Sequence, residues 1–281
     1  MKYIDIHGHI NFPEYDADRE EVIKRAHDAG VGIIVVGTDL ESSKKCVELA
    51  EKHEEMWAIV GMHPTEATPI VEVHSSKRVD LRKSMSERVA FDVEAFQTLA
   101  MNPKVVAIGE CGLDFFHSKL EDVAHQKEVF IKHIEVANSV NKPLMLHVRN
   151  SHSSTNAYQE ALAILKDHAK VPANFHFFAG KMQDMKDVFD AGYSISFTGV
   201  VTFAHHYDEL VRSAPLEKIM TETDCPFVAP LSHRGKRNEP VFVIEIVNEI
   251  AKIRGGTSGE SVEMITEQLL ENAVKFFGLE K

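Results

Sequence analysis

Eight short runs of β-branched and other apolar residues recur along the chain, most of them separated by amphipathic stretches. The runs are 3–6 (YIDI), 32–37 (GIIVVG), 57–61 (WAIVG), 105–109 (VVAIG), 143–147 (PLMLH), 174–178 (NFHFF), 193–197 (YSISF) and 218–222 (KIMTE). Continuous apolar runs of this length suit strands buried on both faces, as in a parallel sheet. Helical periodicity marks 19–29, 41–53, 121–141, 155–169 and 204–213; in 121–141, Phe130, Ile134 and Ala137 recur on one face. Strand followed by helix, repeated, predicts a parallel sheet with helices outside, and eight repeats predict closure into a (β/α)8 TIM barrel. A doubly wound open sheet is the alternative. A barrel of this kind takes about 250 residues, so the 281 residues read as a single domain, 1–281. Two more helices are expected near 240–253 and 258–277, the second after a Gly-Gly-Thr-Ser-Gly break. The stretch 70–90 follows neither pattern and reads as an insertion after the third strand, either a solvated excursion or a lid.

With 31 basic and 43 acidic side chains the formal charge is −12, which argues against a broad basic face coating nucleic acid. One or two phosphates remain within reach, because bound metal ions add positive charge that this count omits. The N-terminus MKYIDIHGH has neither the basic-then-apolar layout of a signal peptide nor a transit pattern, and no run is long enough for a membrane helix. Cys46, Cys111 and Cys225 are odd in number and far apart. They read as reduced thiols and point to the cytoplasm.

The chemistry-bearing residues cluster where strands end. His7 and His9 lie two apart after the first run, and strand alternation puts both on one face, with Asp5 deeper on it. Glu110 directly follows VVAIG and is flanked by Gly109 and Gly112. His147 ends PLMLH, His176 lies inside NFHFF, and Asp224 follows the eighth run with Glu222 two before it. Each has an ordinary reading taken alone: an exposed histidine, a hydrogen-bonded core histidine, a salt-bridged loop acid, a loop cap. In a closed barrel, however, the C-terminal strand ends meet at one rim. Six nitrogen and oxygen donors around one point make a site for one or two divalent metal ions. The cysteines do not share this pattern, which argues against a structural thiolate zinc site. Further along, Arg234, Lys236 and Arg237 form a basic run after the eighth strand. Arg149 stands two after His147. Phosphate binding and structural pairing with the surplus of acids are the two readings of these cations.

The motifs DIHGH (5–9), GMHP (61–64), GECGLDF (109–115), LHVR (146–149), FHFFAG (175–180), SFTG (196–199), ETDCPFVAP (222–230) and HRGKRNEP (233–240) run in order over nearly the whole chain. As an ordered set they resemble the TatD-family deoxyribonucleases, a branch of the amidohydrolase-like metal-dependent hydrolases. The resemblance implies that His7, His9, Glu110 and Asp224 bind one metal. It implies that Glu110, His147 and His176 bind a second, with Glu110 as the bridge. His63 then corresponds to a histidine at the substrate phosphate; its ordinary reading is a turn histidine before Pro64. Thr65, Phe177 and Ala179 depart from the usual pattern, as does the added length at 70–90. None of these removes a metal ligand, but Thr65 and the insertion bear on substrate preference.

The implied reaction is hydrolysis of a DNA phosphodiester from a single-stranded 3′ end by a metal-activated water. Asp224 would act as metal ligand and general base, with Glu110 and His63 also catalytic. His63, Arg149, Lys236 and Arg237 would meet the substrate. Mg2+ is the expected ion, with Zn2+ or Mn2+ also suited to the donor set. The alternatives are an aminoacyl-tRNA deacylase, an amidohydrolase acting on a small cyclic amide or ester, and a metal-holding scaffold without turnover. A carboxylated lysine often bridges the metals in such amidohydrolases, whereas here Glu110 takes that place. No membrane partner is expected, and the oligomeric state is left open.

Overall fold

A computed structural model describes residues 1–67, 90–118, 120–151, 156–258 and 261–279. The expected insertion at 70–90 lies almost entirely outside them. Eight parallel strands follow one another around a single sheet: β1 (Tyr3–Gly8), β2 (Val31–Val36), β3 (Met56–Val60), β4 (Val105–Asp114), β5 (Leu144–Arg149), β6 (Ala173–Phe175), β7 (Ser194–Phe197) and β8 (Ile219–Thr221). Consecutive strand order is that of a barrel and excludes the doubly wound alternative, whose order reverses at a switch point. The last strand meets the first through a short seam. Asp224 N–H donates to His7 O (2.9 Å), His9 N–H donates to Cys225 O (2.7 Å), and Gly8 bridges Cys225. Beneath this seam, Thr223 donates to Asp5 from its backbone N–H (2.8 Å) and from its hydroxyl (2.5 Å).

Helices α1 (Arg19–Asp28), α2 (Leu40–Lys52), α3 (Val93–Ala100), α4 (Leu120–Val140), α5 (Ala157–His168), α6 (Met182–Asp190), α7 (Asp208–Ser213) and α8 (Val243–Ser258) surround the sheet, with α9 (Val262–Phe277) last. Their starts show ordinary capping chemistry. Asp39 accepts from Ser42 N–H (2.7 Å), Asn156 from Gln159 N–H (3.4 Å), and Ser261 from Met264 N–H (3.2 Å). The expected break at Gly-Gly-Thr-Ser-Gly falls later than the sequence suggests: α8 continues through Gly255 and Gly256, and Ser261 is the cap.

Two apolar layers result. The outer layer lies between strands and helices. The inner one holds Ile4, Ile6, Ile34, Val36, Ile59 and Met220, with Phe277 and Leu279 from the α9 end packed against it. Among the described residues, no helix is long and apolar enough to cross a membrane.

Candidate metal centre

With Ile4 and Ile6 in the inner layer, strict alternation would turn His7 away from it. The pairing of β1 with β2 breaks that alternation: Asp5 sits opposite Ile33 but Gly8 opposite Val35, so β1 carries one extra residue. Such a bulge re-aims the side chains that follow. β4 does the same against β5, with Ile108 opposite Leu144 and Cys111 opposite Leu146, and the extra residue falls at Gly109–Glu110. Glycine is required there. Gly109 has φ 152°, and a Cβ on it would stand 2.3 Å from Met145 O; one on Gly112, at φ 134°, would stand 2.3 Å from His147 O.

The bulges bring Glu110 into a ring of imidazoles. Its Oε2 lies 3.2 Å from His7 Nε2 and 3.6 Å from His9 Nε2. Its Oε1 lies 2.7 Å from His176 Nε2, 3.0 Å from His147 Nδ1 and 3.5 Å from His63 Nε2. Asp224 Oδ1 joins the first side, 3.5 Å from His9 Nε2 and 3.9 Å from His7 Nε2. Asp224 has φ 54° and Phe177, beside His176, φ 40°. Non-glycine residues take this left-handed backbone rarely, and mostly where the surroundings enforce it. All six residues expected from the strand ends therefore converge, and five of them are buried, with His147 partly so.

Most of these histidines are held from behind. His9 Nδ1 bonds Val36 O (3.0 Å), His147 Nε2 bonds Asp114 Oδ2 (3.0 Å), and His176 Nδ1 faces Glu222 Oε1 at 3.3 Å. Acids behind metal-facing histidines fix ring orientation and raise ligand basicity. Asp114 was not among the expected residues, and Glu222 was expected only as a loop cap. Both are fully buried, and Glu222 also accepts from Phe177 N–H (2.5 Å) and Ser196 Oγ (2.8 Å). A carboxylate buried in an apolar strand needs partners of this kind, which is the signal that could have found them.

The electrostatics suit a cation. Burial opposes ionisation of Glu110, but the surrounding histidines, His176 foremost, outweigh it and hold the carboxyl well below its usual range. Burial, then the neighbouring His176, pushes His7 down to about 4; burial, then His147, pushes His63 down to about 3. Burial also opposes charge on His176, yet Glu110 and Glu222 together raise it well above the ordinary value. Five imidazoles thus crowd one carboxylate, and buried His7 Nδ1 has no hydrogen-bond partner. Two carboxylate oxygens cannot satisfy so many ring nitrogens by proton sharing alone, whereas divalent ions accept lone pairs from all of them. The residues fit a divalent metal centre.

The expected cations behave differently from one another. Arg149 is exposed, with its guanidinium 4.2 Å from the Phe116 ring centre. Lys236 is exposed. The Arg237 guanidinium forms a fork on Asp18 (2.7 and 2.6 Å), bonds Glu14 O (2.7 Å) and reaches Glu239 (3.3 Å), the structural pairing named as one of its two readings. Arg234 covers the Phe203 ring at 4.4 Å.

The TatD related DNase family model matches residues 4–278. The chain belongs to this family. Among its relatives, the uncharacterized metal-dependent hydrolase YabD of Bacillus subtilis (strain 168) is 34% identical, over 97% of this chain and 98% of its own length. The 3'-5' ssDNA/RNA exonuclease TatD of Pantoea ananatis (strain LMG 20103) is 33% identical, over 98% and 99%. The crystal structure of YjjV, a TatD homolog from Escherichia coli K12, matches this TatD-family chain with a TM-score of 0.82 and 25% identity, covering 99% of both chains.

Proposed function

We propose that this TatD-type metal-dependent hydrolase removes nucleotides from the 3′ end of single-stranded DNA, with Mg2+ as its working ion. The observation that carries the reading is the division of Glu110, whose two oxygens face two different groups of histidines. His7, His9, Glu110 and Asp224 would hold one ion, and Glu110, His147 and His176 the other. Bound there, divalent ions polarise a non-bridging phosphate oxygen and lower the pKa of water. Asp224, on the same side as His7 and His9, would accept the proton of the attacking water. His63 and Arg149 would meet the phosphate charge as it develops. The mixed nitrogen and oxygen donors also suit Zn2+ or Mn2+.

Two exposed rings support a single strand as substrate. Phe227 is 42% exposed and its ring centre lies 6.4 Å from that of His9; Phe116 is 40% exposed and follows Asp114 by two residues. Base stacking on aromatic faces is how sequence-tolerant single-strand binding is commonly built. The exonuclease named among the relatives supports the same reading. We read residues 1–281 as one catalytic unit, and the three buried free thiols support a cytoplasmic setting.

The test is a 5′-labelled single-stranded oligonucleotide incubated with purified enzyme and each of Mg2+, Mn2+ and Zn2+, beside a covalently closed single-stranded circle. Progressive shortening from the 3′ end is expected, with the circle spared. Shortening from the 5′ end, or efficient cutting of the circle, overturns the polarity. Absence of cleavage with every ion overturns the activity itself.

A further inference from the structure

His63 lies beside the centre, yet its ring is held differently from those around it. The backbone that carries it leaves β3 without a ladder partner. His133 Nε2 accepts from Met62 N–H (2.9 Å), and Thr38 O accepts from His63 N–H (2.9 Å). This pins the His63 backbone. The ring is then set by Thr65, two residues on. Thr65 N–H donates to His63 Nδ1 at 3.2 Å, and the Thr65 hydroxyl lies 2.6 Å from the same nitrogen. An amide N–H can only donate. With its hydrogen directed at Nδ1, that nitrogen has no room for a proton of its own. The hydroxyl, which can give or take, must also give. A neutral imidazole carries one ring proton, so it sits on Nε2, the nitrogen facing Glu110 Oε1 at 3.5 Å.

We propose that Thr65 is a positioning residue that fixes His63 as the Nε2–H tautomer, making it a neutral hydrogen-bond donor to the substrate rather than a third histidine ligand on its side of the centre. Distance alone does not separate the two roles, because His63, Glu110 and His147 offer donor atoms within 4.8 Å of one another, close enough for one ion. The tautomer separates them. A ligand must present a lone pair, and Nε2 presents a hydrogen. His147 makes the contrast: its Nε2 is 3.0 Å from Asp114 Oδ2, which cannot donate when ionised, so a proton stays there, and Nδ1, 3.0 Å from Glu110 Oε1, is the nitrogen whose lone pair an ion would take. The two rings meet edge to face, 4.3 Å between centres. One thus offers a lone pair to the ions and the other a hydrogen to what the ions hold. On the phosphodiesterase reading, the acceptor is a phosphoryl or leaving-group oxygen, and a preset donor there stabilises charge without reorganising. The choice of that acceptor rests on the proposed function; the place of the proton does not.

The test uses the full-length chain labelled with 15N-histidine, in long-range 1H–15N spectra recorded metal-free and after Zn2+ addition, with His63 assigned by His63→Gln. Wild type should show a pyridine-like Nδ1 and a pyrrole-like, protonated Nε2, and this pattern should survive zinc while the His147 and His176 signals move. Thr65→Ser should keep the pattern and near-normal kcat. Thr65→Asp places an acceptor at Nδ1. Its carboxylate can only accept, so it should set a second proton on Nδ1 against the residue-65 amide and lower kcat at least tenfold with the zinc content unchanged. A wild-type proton on Nδ1, or loss of the Nε2 proton on adding zinc, overturns the proposal. So does a Thr65→Asp protein with wild-type spectra and wild-type kcat, which would leave the Thr65 side chain no part in setting the ring. If the chain cleaves no nucleic acid at all, these spectra still decide where the proton lies.

Discussion

Glu110 is the residue on which the centre turns, because among the described residues it alone faces both histidine groups. Glu110→Gln keeps its shape and removes its charge. Bound metal, measured by elemental analysis, should fall below the wild-type stoichiometry. Turnover should drop by two or more orders of magnitude, on the order of 3 kcal/mol in the barrier. Unchanged metal content with near-normal turnover would sink the bridging role. Asp224 makes a different prediction. It stands at the rim with its side chain 12% exposed, and it faces histidines rather than core. Asp224→Asn should abolish turnover while the metal-free melting temperature stays near wild type; a variant keeping most of its activity would remove the general-base assignment. Which residues these are was legible from sequence, since each ends an apolar run and an ionisable group is costly there without a partner. Which nitrogen each ring turns inward was not legible. That depends on Asp114, Glu222, Val36 and Thr65, and only the last is close in sequence to the histidine it holds.

Elements were legible to the extent that their pattern was apolar. All eight expected strands are present, most with ends within two residues of the expected ones, though β4 runs five residues further and β6 stops three short, because buried parallel strands leave few polar positions to confuse the count. The bulges in β1 and β4 were not legible, since an inserted residue looks the same in sequence as an ordinary one. Helices α3 and α6 were missed, and the expected 204–213 helix shortens to Asp208–Ser213. His133 on α4 shows how an element can hold a site from a distance. Fully buried against Phe91, it donates from Nδ1 to Val129 O (2.8 Å) and accepts from Met62 at Nε2. Burial pushes it down to about 4 from an ordinary 6.5. Between those values the unfolded chain binds a proton that the folded chain refuses. Its contribution is therefore complete above pH 6.5 and is lost as pH falls toward 4, by about 3 kcal/mol in all. Urea unfolding of wild type and His133→Gln across this window should show the gap between them shrinking as the solution is acidified. A gap independent of pH would refute it.

At the scale of the whole molecule, a charge of −12 leaves few places for a polyanion. Among the described residues, with Arg237 paired to Asp18, the phosphate contacts proposed above are His63, Arg149, Lys236 and the ions the centre would hold. Each single-strand phosphate neutralised contributes about −0.7 to the slope of log K against log salt, so roughly two contacts give a slope near −1.5. Fluorescence anisotropy with the Asp224→Asn protein would measure it, and a slope several times steeper would reveal a basic track elsewhere on the molecule. Lys236→Ala should flatten the slope. Arg237→Ala should instead lower the melting temperature and leave the slope alone, a division that neither reading of the basic run made from sequence.

The seam between β1 and β8 has a consequence in time as well as in space. Asp5 and Thr223, which it joins, lie 218 residues apart in the chain, and His7, His9 and Asp224 are placed by the same few hydrogen bonds. A ribosome building this protein makes His7 and His9 almost at once and Asp224 only 215 residues after His9. Until then the nascent chain has histidines but nowhere to bring them together. Any chemistry that needs all three is therefore deferred until the last strand of the barrel has been made.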